Sequence, residues 1–138
     1  MSSIRRQVTI GANPRAVWTA LTTAEGLGNW LVDEARIDAR TGGRVVLKVE
    51  NDAGDEVEET GMLLNCRPTS KLEISWDKVS RGPWKGTTTQ FSVARNGEET
   101  VVNLVHAGSL FEDVAVRTEA DTQWRRALNA LRDHLEGA

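Results

Sequence analysis

An amphipathic pattern near the C-terminus limits the folds that are open to this chain. Apolar side chains recur there at intervals of three and four residues: Ala120, Trp124, Ala127, Leu128, Leu131 and Leu135. This spacing places them on one face of a helix, which we expect over residues 121–136. Residues 33–107 indicate short strands instead. Because a helix after antiparallel strands buries its apolar stripe against their sheet, the chain predicts an α+β fold.

The remaining pattern predicts one strand, two short helices and about six further antiparallel strands in a single domain, residues 1–138. Asn13-Pro14 is typical of a helix start, with an N-cap followed by proline at the first helical position. Thr22-Thr23 predicts the cap of a second helix, which runs through Trp30. Turns between strands are expected at residues 41–43, 51–55 and 68–70, at an Arg81-Gly82-Pro83 interruption, and at Asn96-Gly97. We expect residues 108–116 to be irregular.

The composition of the chain indicates which classes of partner and which cellular compartment to expect. Charged residues make up 27% of the chain, apolar residues 39%, and the net charge is -3. Arg5-Arg6 and Arg125-Arg126 are isolated pairs, so neither nucleic acid nor an anionic membrane is an expected partner. No apolar run approaches the ~18 residues of a membrane span, and the start lacks the apolar core of a signal peptide. A single cysteine, Cys66, fits a reducing compartment, and we expect a cytoplasmic protein without internal disulfides.

The polar residues do not form a familiar metal, cofactor or nucleophile motif. His106, His134 and Cys66 lack the paired spacing of a zinc site. A cluster of carboxylates does not match a calcium loop and is interpreted as a solvated hairpin tip: Asp52, Asp55, Glu56, Glu58 and Glu59. Gly42-Gly43 lacks the lysine of a phosphate loop, and no serine or cysteine sits in a nucleophile elbow. We therefore predict no metal, no cofactor and no catalytic residue.

Several segments, in order along the chain, carry a family resemblance. They are residues 12–23 (ANPRAVWTALTT), residues 35–43 (ARIDARTGG), Gly61, Pro68, Leu72, Ser75-Trp76, Thr100, Leu104, His106 and residues 124–131 (WRRALNAL). The chain resembles the AHSA1-like family (activator of Hsp90 ATPase homologue 1-like) of the START/Bet v 1-like, or SRPBCC, superfamily. The resemblance implies a helix-grip fold, in which a curved antiparallel sheet of about seven strands wraps a long C-terminal helix around a cavity.

Two departures from the family pattern stand out. Asn65 lies where the family often has glutamate, which predicts the loss of a cavity carboxylate. Asp121-Thr122-Gln123 replaces the usual glycine before the helix tryptophan, which predicts a different entry of the helix into the fold.

The resemblance makes a small hydrophobic or amphipathic molecule the expected ligand. Its predicted contacts are Trp30, Leu47, Trp76, Phe91, His106, Trp124 and Leu128. Five tryptophans against two phenylalanines and no tyrosine suit a wide, incompletely filled interior. The alternative is that these side chains are ordinary core. We expect Trp18 to be structural, on a helix outside the sheet, and Trp84 to be exposed in its loop as a lid, a contact residue or an apolar plug.

His106 shares strand parity with Val102 and Leu104, so it should point inward. It could orient a ligand or move a proton, or it could be a core histidine satisfied by a backbone carbonyl. His134 is expected on the solvent-exposed side of the final helix.

Three functions therefore remain open. The first is a small-molecule binding protein, and the second is a cyclase- or dehydratase-like enzyme that pairs His106 with Asp33, Glu34 or Asp121. The third is a protein-interaction module, as a homodimer or as an Hsp90 partner. Hsp90 is the less favoured partner, because 138 residues leave no room for the activator's other domain.

Overall fold

The structure is a computed structural model that describes residues 2–51, 53–77 and 83–137. Asp52 and Arg81-Gly82, which belong to predicted turns, lie outside the described residues. The strands are β1 (Ser3–Ile10), β2 (Glu34–Ile37), β3 (Arg44–Glu50), β4 (Glu56–Arg67), β5 (Lys71–Trp76), β6 (Thr88–Asn96) and β7 (Glu99–Ala107). The helices are α1 (Pro14–Thr22), α2 (Ala24–Trp30) and α3 (Val114–Glu136), with a short 3₁₀ helix at Ser109–Glu112.

The seven strands form one antiparallel sheet in the order β1-β7-β6-β5-β4-β3-β2. Residues alternate between its two faces, and cross-strand partners such as Phe91 and Leu104 share a face. The buried face of β7 carries Val102, Leu104 and His106, as its parity predicts. The predicted α+β helix-grip architecture is confirmed.

The caps of α1 and α2 explain why the two short helices start where the sequence predicts. The Asn13 side chain accepts a hydrogen bond from the Ala16 N–H at 2.9 Å, and Pro14 follows it. Thr23 Oγ1 accepts from the Gly26 N–H at 2.9 Å. Each side chain satisfies a backbone donor that a helix start leaves without a partner.

The final helix begins earlier than the apolar pattern predicts. Asp113 caps it by accepting hydrogen bonds from the N–H groups of Ala115 and Val116. Residues 108–116 are therefore not irregular, since they contain the 3₁₀ helix and the first turn of α3. The predicted start of the helix is too late because its first turn is exposed, and an exposed turn shows no stripe of buried apolar residues in the sequence. Asp121 consequently lies inside α3 rather than at its entry.

Polar contacts fix α3 along β1. Arg6 donates two hydrogen bonds to the Asp121 carboxylate, at 2.7 and 2.5 Å, and this guanidinium holds the pKa of Asp121 below its usual range. Near the end of the helix, Glu136 accepts from the Gly11 N–H at 2.6 Å. The earlier residue of β1 contacts the earlier residue of α3, and the residue just after β1 contacts the end of α3. Helix α3 therefore runs parallel to β1.

Both short helices lie on the same face of the sheet as α3. Helix α1 packs against α3, β6 and β7, and α2 packs against α3. Trp18 is half-buried against this core. The expectation that its helix lies outside the sheet is wrong, because Val17, Ala20 and Leu21 add their apolar face to the common core.

Candidate functional site

Aromatic side chains fill the space between the sheet and α3. We call this set the aromatic cluster: Trp30, Trp76, Trp84, Phe91, His106, Phe111 and Trp124. The Trp84 and Trp124 rings stack, with centroids 5.4 Å apart and planes inclined by 16°. Phe91 meets Trp124 at 5.9 Å and Trp30 at 6.3 Å, both edge to face. Offset and edge-to-face pairs are the arrangements that aromatic rings prefer, so the cluster is packed rather than hollow.

A chain of hydrogen bonds runs through the cluster. The Trp124 indole N–H donates to His106 Nδ1 at 3.0 Å, and His106 Nε2 lies 2.8 Å from Thr87 Oγ1. The Thr87 hydroxyl donates to the Trp84 carbonyl at 2.6 Å. Because an indole nitrogen only donates, His106 Nδ1 must accept, and the ring proton sits on Nε2. We call this chain the histidine relay.

His106 is fully buried, and burial lowers its pKa to about 3. Water that would stabilise the imidazolium is excluded, so the ring stays neutral. Its partners are Thr87 and Trp124 side chains rather than the backbone carbonyl expected for a core histidine. Because both ring nitrogens are hydrogen-bonded, His106 of β7 joins α3, through Trp124, to the turn before β6, through Thr87.

The proposed acid–base pair is not assembled around His106. Asp121 is paired with Arg6, and Asp33 accepts from the Glu50 N–H at 2.8 Å. Glu34 is exposed at the start of β2. The prediction that one of these carboxylates serves His106 is wrong, because both ring nitrogens of His106 are bonded to Thr87 and Trp124, while Asp33 and Glu34 are exposed and Asp121 is half-exposed beside Arg6.

Among the described residues, the part of the interior around Trp76 and Phe91 is almost completely filled. The gap enclosed between the sheet, α2 and α3 measures only about 10 Å³, and Leu47, Trp76, Phe91 and Trp124 are among its lining residues. The wide interior suggested by the tryptophan content is therefore not found in this part of the molecule, because the indoles occupy it.

A larger space lies at one end of the cluster, and we call it the groove. Its volume is about 470 Å³. Its described lining comes from the segment after α2, from β3, β4 and α3, and from the turn before β6: Leu31, Val32, Leu47, Val49, Glu50, Asn51, Val57, Glu59, Pro83, Trp84, Gln123, Trp124 and Ala127.

The structure divides the predicted contact residues into three groups. Leu47 and Trp124 line the groove, whereas Trp76 and Phe91 surround only the small interior gap. Trp30, His106 and Leu128 are buried away from both spaces. The Trp30 indole is fixed instead by donating to the Ala20 carbonyl at 2.9 Å.

Trp84 is the most informative residue that the sequence misplaced. Its loop predicts an exposed side chain, yet Trp84 is half-buried and touches Trp76, His106 and Trp124. It lines both the groove and the interior gap. Of the alternatives for this residue, its position is that of an apolar plug.

Glu59 is the second misplaced residue. It is only 5% exposed and accepts from the Trp84 N–H at 3.0 Å, so it does not belong to a solvated hairpin tip. It faces inward because it pairs with buried Leu47 across β3 and β4. A carboxylate at an inward position between Val57 and Gly61 was the signal available in the sequence.

Asn65 lies on the opposite face of the sheet. The register of β4 and β5 shifts between Leu63 and Asn65, and Asn65 then pairs with Glu73. Glu73 alternates with buried Leu72 and Ile74, so it belongs to the outer face. The prediction that Asn65 removes a cavity carboxylate is therefore wrong, because the bulge turns this position outward.

The remaining polar groups offer no further site. Within residues 2–51, 53–77 and 83–137, no three His, Cys, Asp or Glu side chains are placed to hold a metal. His134 is exposed, as predicted, with Asn29 3.4 Å away. None of the helices in the described part of the chain is long and apolar enough to cross a membrane.

Comparisons with known proteins agree with this architecture. The structure is similar to the Aha1 dimer from Colwellia psychrerythraea, with a TM-score of 0.79 and 23% identity over 99% of this chain and 97% of that one. It is similar to CalU16 from Micromonospora echinospora, with a TM-score of 0.77 and 27% identity over 98% and 74% of the two chains. DynU16, from the dynemicin biosynthetic locus, gives a TM-score of 0.82 and 17% identity over 98% and 47%.

The sequence itself identifies the family. A comparison with curated protein sequences gave no match. The family model for Activator of Hsp90 ATPase homolog 1-like proteins matches residues 11–136, nearly the whole chain, and confirms the predicted resemblance. This chain belongs to the AHSA1-like family of the SRPBCC superfamily.

Proposed function

We propose that this protein binds a small apolar or amphipathic molecule in the groove. The observation that carries the proposal is a space of about 470 Å³ whose walls are mainly aliphatic and aromatic. Ligand sites in proteins commonly measure ~300–1,000 Å³ and combine an apolar lining with a few polar groups. Here Glu50, Asn51, Glu59 and Gln123 are the polar groups beside the apolar wall.

The likeness to DynU16, from the dynemicin biosynthetic locus, supports this choice only through the shared fold. Cyclase-like chemistry is the weaker alternative, because general acid–base catalysis needs a group that can exchange a proton with the substrate. His106 is buried, neutral and bonded through both ring nitrogens. His106 is therefore placed to hold Trp124 in the groove wall and is not placed to exchange a proton with a ligand.

Fluorescence titration tests the proposal, because Trp84 and Trp124 lie in the groove wall. We expect naphthalene or 1-dodecanol to change the tryptophan emission in a saturable way. An uncharged amphiphile is the better probe, since a carboxylate would enter beside Glu50 and Glu59. The proposal is refuted if neither naphthalene nor 1-dodecanol gives a saturable response.

A substitution in α3 locates the binding. Ala127 lines the groove, so Ala127→Phe should fill part of it and weaken binding at least tenfold. Ala115→Phe is the matched control, because Ala115 is exposed in the first turn of α3 and lies outside the groove lining. Equal weakening by both variants would show that the binding site lies elsewhere.

Two partner predictions stay separate from this proposal. The Aha1 structure from Colwellia psychrerythraea is a dimer, and light scattering at the titration concentrations measures whether this chain also self-associates. Hsp90 binding stays a prediction, and an ATPase assay with added Hsp90 measures it.

A further inference from the structure

We propose that the Trp84 side chain occupies, in the free protein, a subsite that takes a flat fused aromatic ring of the ligand. The inference rests on the proposed function and names the part of the ligand that would enter deepest. The incoming ring would stack on Trp124 in the place of the Trp84 indole.

The surroundings of Trp84 have the shape of a slot. The Trp124 indole covers one face of the ring at 5.4 Å and 16°. His106 meets it edge to face at 5.1 Å and 86°, and Trp76 closes another side at 5.1 Å and 52°. One parallel wall and two inclined walls match a planar ring system better than a flexible alkyl chain.

The backbone of Trp84 is held while its side chain is not deeply enclosed. Its N–H donates to Glu59, and its carbonyl accepts from both the backbone N–H and the hydroxyl of Thr87. The side chain is half-buried and borders the groove. Rotation about the side-chain bonds alone would therefore move the indole into the groove without a change in the backbone.

The slot also specifies the chemistry of the inserted ring. The Trp124 N–H is used by His106, the Trp76 N–H by Thr89, and His106 Nε2 by Thr87. A polar substituent that entered the slot would lose its hydrogen bonds to water, and none of these three nitrogens would be available to replace them. We therefore infer that the ring enters with an apolar edge, and that any polar substituent stays near Gln123 at the groove.

Calorimetric titration of the Trp84→Ala variant tests the subsite. Naphthalene is the probe, and decahydronaphthalene is the matched ligand control because it has the same carbon count without a flat aromatic face. We expect Trp84→Ala to bind naphthalene at least tenfold more tightly than wild type, while decahydronaphthalene gains less than threefold. Lys85→Ala, an exposed change in the same turn, should leave both affinities unchanged.

Nuclear Overhauser contacts in the wild-type protein give the second measurement. Bound naphthalene should contact Trp124 and abolish the contacts between Trp84 and Trp124. Trp84→Leu replaces Trp84→Ala if the smaller side chain prevents folding, with the same expected direction. Unchanged Trp84–Trp124 contacts at saturation, or no tighter binding by the folded variant, would overturn the subsite.

The two proposals fail differently. If neither naphthalene nor 1-dodecanol binds the wild-type chain, the proposed function is refuted, and the subsite with it. If 1-dodecanol binds and Ala127→Phe weakens it, but naphthalene leaves Trp84 in place, only the subsite is refuted.

Discussion

His106 makes a strong prediction about stability at mildly acidic pH. Burial lowers its pKa in the folded protein to about 3, whereas the exposed imidazole of the unfolded chain titrates near 6.5. As pH falls below about 6.5, the unfolded chain binds a proton that the folded chain refuses, and folding stability is lost. The loss continues until pH reaches about 3, where the folded protein also takes up the proton.

The size of this effect follows from the two pKa values. Each pH unit between them corresponds to ~1.4 kcal/mol, so the wild type should lose about 2.5 kcal/mol of unfolding free energy between pH 7 and pH 4.5. Typical domains have only ~5–15 kcal/mol in total, so the loss is readily measured. Asp77 and Asp121, whose pKa values are lowered by Arg44 and Arg6, lose their contributions at lower pH, outside this window.

Urea unfolding at pH 7, 6, 5 and 4.5 provides the assay, with two histidine variants. His106→Gln should be less stable than wild type at pH 7, because it loses the ring contacts with Trp84, Phe111 and Trp124, although its amide still offers an acceptor and a donor that do not titrate. Its stability should then change much less between pH 7 and 4.5. His134→Gln, at the exposed histidine, should retain the wild-type pH dependence. Parallel curves for wild type and His106→Gln, or a His106 ring that titrates near pH 6.5 by NMR, would refute the reasoning.

Three further substitutions test a buried hydrogen bond, a close backbone contact and a helix cap. Thr87→Val should cost about 1–3 kcal/mol by leaving the buried His106 N–H unpaired, while half-exposed Thr88→Val stays within about 0.5 kcal/mol in urea unfolding. Gly61→Ala should cost about 1–3 kcal/mol, because its Cβ would lie 2.7 Å from the Ser75 carbonyl oxygen; a melting temperature equal to that of wild type would contradict this. Asp113→Ala should cost about 0.5–2 kcal/mol and reduce helicity by circular dichroism, and unchanged helicity would argue against the cap.

Local sequence signals predicted most of the fold because they act over a few residues. The Asn13 and Thr23 caps start their helices as predicted, and Asn96-Gly97 gives a tight hairpin in which Gly97 has φ of 65°. The two-residue period of β7 correctly places His106 inward. Each of these features is set by the backbone preferences of neighbouring residues.

The candidate site depended on contacts that local patterns do not encode. Trp84 lies in a turn, and its position follows from Trp124, which is 40 positions away in sequence, and from Glu59 on β4. The bulge near Leu63 changed the face of Asn65, and no local pattern marked it. An apolar side chain at an inward position predicts burial, but it does not predict whether a neighbour leaves space beside it.

The histidine relay explains why a polar chain persists in this interior. The Trp124 indole is buried by α3, and its N–H needs an acceptor that an aliphatic side chain at position 106 could not supply. Supplying Nδ1 leaves an Nε2 proton that must also be satisfied, and the Thr87 hydroxyl accepts it. The hydroxyl proton in turn ends at the Trp84 carbonyl. Trp124 of α3 is therefore linked, through the side chains of His106 and Thr87, to the backbone carbonyl of Trp84, whose ring stacks on Trp124. One chain of hydrogen bonds thus supports both tryptophans of the groove wall.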